Sequence, residues 1–420
     1  MKHHLTRLKN GLRIASIPMK DSPSVTAMVL VETGSHYESK NERGLSHFLE
    51  HMCFKGTKKR PKTIDIATEL EGLGASSNAF TSNEYTGYYI KSSRIHWKKS
   101  LEILSDIYLN PIFSPEDIEN ERGVILSEMS MYEDKPERKV WEIAENLLYG
   151  DTPAGYSIIG TKENVKRFKR EDFIRYRTKY YVASKTIVVI SGPISHQEAL
   201  KEVQNNFKDI RVAKSSSKQR VVSKQKETQI KINTKKTSQS HLGFLFPAYH
   251  FKDKRRPALE ILLSVLGGGM SGRLWNRLRE KMGACYYIFA TREEGSDYGM
   301  VAIGTGVEAS RVSEVSQAIL EECERLKNEL VSEAELLKAK EYNIGQLHLS
   351  LETSSSLAEY YGSELLYGKT PVSPQEWEKS LRTVTPKEVQ AVARDIFKAE
   401  KLNFGAVGDF KLTQELKRAL

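Results

Sequence analysis

Cysteine is scarce: the 420-residue chain has three, Cys53, Cys285 and Cys323. An odd number with no ligand-like spacing argues against a disulfide framework and reads as reduced thiols, the pattern of a cytoplasmic protein. Long apolar runs are also missing. Nothing approaches the 18 or so consecutive apolar residues of a membrane span, so a soluble protein with no membrane partner is expected. No secretory signal is expected at the start, because Lys2, Arg7, Lys9 and Arg13 interrupt the apolar positions up to Met19 and no small-residue cleavage site is seen there. The basic run from Lys214 to Lys226 has no aromatics. A net charge of +10 invites a nucleic-acid reading. A run rich in Ser and Gln without stacking rings reads instead as a solvated linker, and no nucleic-acid partner is expected.

What is present suits a globular protein. Hydrophobic residues make up 39% of the chain, enough for real cores. The length is natural for two domains of about 200 residues each. The low-complexity stretch predicts a first domain over 1–211, a linker over 212–228 and a second domain over 229–420. The halves also end alike. Glu171 to Gly192 reads as a helix, Lys185, the apolar strand Thr186 to Ile190, then Gly192; Lys387 to Gly408 repeats that order, with Lys401 and Gly408 at the same offset. Two copies of one α+β unit are expected, each a mixed or antiparallel sheet with helices packed on it.

Strand-like stretches open each half: Leu12 to Ile17 and Val25 to Val31 in the first, Ser240 to Phe246 in the second. Leu45 to Phe54 is apolar at helical spacing and stops before Gly56. A second helix is expected from Thr63 to Leu73. A third begins at Ser114-Pro115-Glu116, which offers an N-cap, a proline at the first helical position and an acid in the first turn.

The central signal is His47-Phe48-Leu49-Glu50-His51. On a helix, residues 47, 50 and 51 fall at i, i+3 and i+4 and project from one face. Two imidazoles one turn apart can each offer a ring nitrogen to a zinc ion, Zn2+. On the third helix Ile118, Glu121, Ile125 and Glu128 stand at i, i+3, i+7 and i+10, the pattern of an inward face that carries two carboxylates. An inward carboxylate is costly unless it is paired or coordinated, so one Glu is expected on the metal and the other behind an imidazole.

These residues resemble the pitrilysin, insulinase and mitochondrial processing peptidase family of inverted zincins, in its short two-domain bacterial form. The match lies in His47, Glu50 and His51 with Glu121-Arg122-Gly123-Val124-Ile125-Leu126-Ser127-Glu128-Met129 downstream. The resemblance implies His47, His51 and Glu128 as zinc ligands, Glu50 as general base and Glu121 as the acid supporting a ligand histidine. It further implies that Ser77 to Tyr89, with Asn78, Ala79 and Phe80, forms a strand pair whose exposed edge binds an extended peptide. The second half lacks HxxEH, reading Leu259-Glu260-Ile261-Leu262-Leu263-Ser264-Val265-Leu266, and is expected to bind substrate but no metal. Its Leu266-Gly267-Gly268-Gly269 turn and Leu278-Arg279-Glu280-Lys281-Met282-Gly283-Ala284-Cys285-Tyr286 match the family's glycine turn and its Arg and Tyr pair. Arg279 and Tyr286 are thereby expected to serve catalysis as donors to the oxyanion. Ala284-Cys285 stands where the family usually has Leu-Ala, a departure expected to alter the shape of that pocket. The resemblance also implies a clam-shell arrangement and, at half the length of single-chain members, a homodimer. The function it implies is a zinc-dependent endopeptidase acting on short or unfolded polypeptides. The alternative is a non-catalytic partner subunit of a peptidase-like complex.

Overall fold

The computed structural model describes residues 3–222, 225–368 and 370–420. Positions 1 and 2 of the expected first domain, 223 and 224 of the expected linker, and 369 of the expected second domain lie outside the described residues.

Eleven strands among these residues form two sheets. The first contains β1 (His4–Arg7), β2 (Arg13–Pro18), β3 (Ser24–Val31), β4 (Ser76–Thr81), β5 (Thr86–Ser93) and β6 (Thr186–Gly192), in the order β1-β2-β6-β3-β5-β4. The second contains β7 (Gln229–Thr234), β8 (Ser240–Pro247), β9 (Cys285–Glu294), β10 (Gly299–Val307) and β11 (Asn403–Gly408), in the order β7-β11-β8-β10-β9. Without β1 the two orders are identical, and each has a single parallel pair, β2 with β6 and β7 with β11. The duplication expected from the matching ends of the halves therefore extends through the whole sheet. Central strands are buried on both faces, which explains why they read as continuous apolar runs rather than alternating ones.

Among the helices are α1 (Leu45–Met52), α2 (Pro115–Asp134), α3 (Pro136–Tyr149), α4 (Arg256–Gly267), α5 (Glu333–Ser350) and α6 (Ser354–Tyr367). The compact units do not follow the sequence halves. One unit runs through Met129 and adds Tyr156–Gln219 and His348–Val372; the other takes Ser130–Gly155, Arg220–Leu347 and Ser373–Leu420. The cause is apolar burial by segments exchanged along the chain. Helix α3, from the first half, sets Val140, Ile143, Ala144 and Leu148 against Leu245, Met300, Ala302 and Val407 of the second sheet. Gly405 makes this approach possible, since a Cβ there would sit 2.9 Å from that of Ala144. Helix α6, from the second half, packs on β3 and β6 of the first sheet. There Ser354 Oγ lies 2.9 Å from Thr26 Oγ1, and Arg13 donates to the Leu365 carbonyl at 2.8 Å.

The basic linker also differs from a solvated strap. Ser215 donates to the Lys179 carbonyl at 2.9 Å, and the Lys218 ammonium, 8% exposed, reaches Glu84 at 3.1 Å. The three cysteines are free and buried. Among the described residues no helix is long and apolar enough to cross a membrane.

Candidate metal centre

Helix α1 is short, and its placement comes from outside itself. Leu45, Phe48, Leu49 and Met52, at i, i+3, i+4 and i+7, are fully buried and fix one face to the core. The helix has no side-chain cap of its own. The buried Glu38 carboxylate fills that role, accepting from the Gly44 N–H at 2.8 Å, the Ser46 N–H at 2.7 Å and the Ser46 hydroxyl at 2.5 Å. Gly44 itself has φ +91, and a Cβ there would meet the Ile159 carbonyl oxygen at 2.6 Å. The opposite face of α1 presents His47, Glu50 and His51, whose donor atoms lie within 4.8 Å of one another.

Helix α2 supplies the other half. Ser114 accepts from the Asp117 N–H at 3.0 Å, the N-cap the sequence predicts. Ile118, Glu121 and Ile125 are buried and Glu128 is half-buried, as the inward periodicity requires. Glu128 Oε2 stands 3.8 Å from His47 Nε2 and 4.0 Å from His51 Nε2. These gaps are too long for hydrogen bonds. They suit three donors converging on one ion, because tetrahedral arms of 2.0–2.2 Å separate donor atoms by about 3.3–3.6 Å. Charge agrees with geometry. With neutral imidazoles, the carboxylates of Glu50, Glu121 and Glu128 against the single ammonium of Lys55 leave two negative charges, which a divalent cation balances. The donor set of two imidazoles and one carboxylate therefore fits zinc.

Glu121 Oε1 lies 2.8 Å from His51 Nδ1, which turns the other nitrogen, Nε2, toward Glu128. Its second oxygen meets the Lys55 ammonium at 2.5 Å. Burial would raise the Glu121 carboxyl, but the hydrogen bonds from His51 and Lys55 outweigh it and hold the group below its ordinary range. Burial and the neighbouring His51 push His47 down to about 4. For His51 burial acts in the same direction, yet the bond to Glu121 and the surrounding carboxylates win, and its pKa rises. Burial lifts Glu50 to about 7, into the range of a general base, while Thr81 Oγ1 donates to it at 3.4 Å.

Thr81 closes β4, the edge strand of the first sheet, which packs beside α1. Asn78, Ala79 and Phe80 lie on that strand, and the Ala79 N–H donates to the Asn78 side chain at 2.8 Å. Arg279 and Tyr286 belong to the other unit. Arg279 sits on a short π-helical turn (Trp275–Lys281) and Tyr286 is the second residue of β9; both are exposed, with the guanidinium carbon 5.7 Å from the phenol ring centroid. Helix α4, the counterpart of α1, offers Glu260, Leu263 and Ser264 at the same i, i+3, i+4 spacing. They line an open cavity of about 470 Å³ without a histidine. Among the described residues His47, Glu50 and His51 form the one tight group of three candidate metal donors.

Sequence reading missed three contributors. Lys55 lies in the turn just after α1, outside the helical periodicity that marked His47, Glu50 and His51. Thr81 was legible only as part of a strand. Glu38 carries no local signal, because it acts through a loop that folds back on α1.

Residues 13–162 match the family model described as insulinase (peptidase family M16), and residues 167–343 match that of the peptidase M16 inactive domain. An uncharacterized zinc protease of Bacillus subtilis, YmxG, is 32% identical over 93% of this chain and 94% of its own. An uncharacterized zinc protease of Mycobacterium tuberculosis is 31% identical over 93% and 90%. Among solved structures, a protease from Helicobacter pylori superposes with a TM-score of 0.90 at 23% identity, covering 97% of this chain and 99% of that one. A peptidase M16 inactive domain from Pseudomonas fluorescens gives 0.91 at 17% identity, covering 99% and 100%. Such identities show the fold alone. Since a protein named a protease and one named inactive share this backbone equally well, the side chains on α1 and α2 decide what the chain does.

Proposed function

Given that this chain belongs to the insulinase family, peptidase family M16, we propose that it is a catalytically competent zinc endopeptidase acting on short or unfolded polypeptides. The observation that carries the reading is the convergence of His47, His51 and Glu128, with Glu121 behind His51 and Glu50 beside them. In this reading His47, His51 and Glu128 hold the ion and Glu121 orients a ligand. When bound, zinc supplies a polarising charge and acidifies water. Glu50, whose burial already favours proton uptake, takes the proton of the attacking water and delivers it to the leaving amine. Strand β4, through Asn78, Ala79 and Phe80, receives the substrate as an added strand, which demands an extended chain. Arg279 and Tyr286 are assigned as donors to the developing oxyanion, on the family resemblance of their motif. The intact donor set argues against a non-catalytic partner subunit.

Glu50→Gln tests the reading directly. The amide cannot accept a proton, so the variant should retain one zinc per chain by atomic absorption and lose at least about a hundredfold in peptide turnover. Turnover within tenfold of wild type would remove Glu50 from the role of base.

A further inference from the structure

Glu84 is a carboxylate only 3% exposed, in the turn that joins β4 to β5. An ionised group so buried needs a cation. The cation comes from far along the chain: Lys218, in the Ser-rich stretch beyond the first unit's residues 196–206 helix, reaches Glu84 Oε1 at 3.1 Å with its own side chain 8% exposed. Lys218 is not an incidental surface contact, since both groups have left water. The turn it holds is bonded on another side as well. The His36 N–H donates to the Asn83 carbonyl at 2.8 Å, the Ser35 hydroxyl donates to Asn83 Oδ1 at 3.0 Å, and the Ser82 N–H closes the turn on the Tyr85 carbonyl at 2.8 Å. Just before the turn, Thr81 ends β4 and touches Glu50.

We propose that Lys218 is a positioning residue for substrate: through Glu84 it fixes the 82–85 turn, and thereby holds β4 in register beside Glu50. The inference rests on the peptidase reading above for its functional half. An edge strand carries ladder partners on one side only, so its alignment depends on whatever anchors its ends. An added peptide strand inherits that alignment, because its affinity comes from the backbone ladder it forms with the edge strand. The linker thus takes part in substrate binding although no linker atom need touch the peptide.

The test uses the full chain. Lys218→Met should raise KM for an extended peptide by about tenfold, with kcat within about twofold and zinc content unchanged, because binding rather than chemistry is affected. Lys218→Arg, which keeps the charge, should restore KM. Hydrogen exchange gives a second readout that needs no activity: amides of residues 76–85 should lose protection selectively, while β2 and β3 keep theirs. Glu84→Gln should show the same local pattern, and decides alone if Lys218→Met does not fold. An unchanged KM, exchange rising evenly over the unit, or failure of Lys218→Arg to rescue would each overturn the proposal. If the wild-type chain cleaves no peptide, the peptidase reading falls and the exchange data still judge the tether.

Discussion

His51 is the residue on which most of the centre's electrostatics converge. It is hydrogen-bonded to Glu121, which Lys55 anchors in turn, and it faces Glu128 across the ion position. Replacing Glu128 by Gln would remove the anionic member of the proposed ligand set, so zinc affinity should fall further than in Glu121→Gln, where about 10–100-fold is typical of a supporting residue. A chelator competition assay with the reverse order of severity would exchange the two roles. The imidazoles also set how zinc responds to acid. Only a neutral imidazole can coordinate, so a proton must leave for each protonated ligand that binds. His47, pushed down to about 4, stays neutral through mild acid, whereas His51, raised above its ordinary value, takes up a proton first. Below the raised pKa of His51 and above about pH 4, the logarithm of zinc affinity should therefore fall by about one unit per pH unit, not two. A slope of two would place both histidines in the same range. At this scale the sequence was informative wherever residues share a helix: His47, Glu50 and His51 by one turn, Glu121 and Glu128 by two. Which acid supports and which coordinates could not be read from periodicity, since both face inward; the proposed division of roles rests on their distances to His51 and His47.

Among the elements, α1 is the one whose position matters most and whose sequence says least about how that position is kept. Its apolar stripe was legible, as were the N-cap of α2 and the runs that became β2, β3 and β8. Glu38 and Gly44 were not, because a carboxylate capping a helix from a folded-back loop has no periodicity. Gly44 lies in the left-handed region with the Ile159 carbonyl oxygen in the place a Cβ would take. Gly44→Ala should cost on the order of 2–3 kcal/mol, strain and displacement together, read as a lower urea midpoint at unchanged slope. Zinc affinity should fall with it, since His47 is three residues along. A stable variant with full zinc affinity would show that the loop can relax without moving the helix. The edge position of β4 was likewise invisible locally, because strand order depends on pairings with β5 and, through it, β3.

For the whole molecule, the repeat legible at the ends of the halves proved to govern both sheets, whereas the division into units did not follow the repeat. Each sheet is covered in part by a helix from the other half of the chain, and nothing in the sequence of α3 or α6 says which sheet it will cover; both are amphipathic stretches that fit either copy. Fragments of the chain should feel this exchange. Residues 1–210 contain every proposed zinc ligand but lack α6, which buries β3 and β6, and they carry α3 without the sheet it covers. Expressed alone, that fragment should be poorly soluble and retain far less than one zinc per chain. Co-expression with residues 229–420 should recover both soluble yield and metal. A soluble, fully loaded fragment would show that the first sheet tolerates the loss of its helix.

The same exchange bears on how the protein comes off the ribosome. Strand β6 ends at Gly192 and α6 begins at Ser354, about 160 residues later. At synthesis rates of 5–20 residues per second, the first sheet waits roughly ten to thirty seconds with apolar surface uncovered. The nascent chain thus passes through a long interval as a client for chaperones, and the first sheet, though its own strands are complete by Gly192, keeps a face uncovered until α6 has been made.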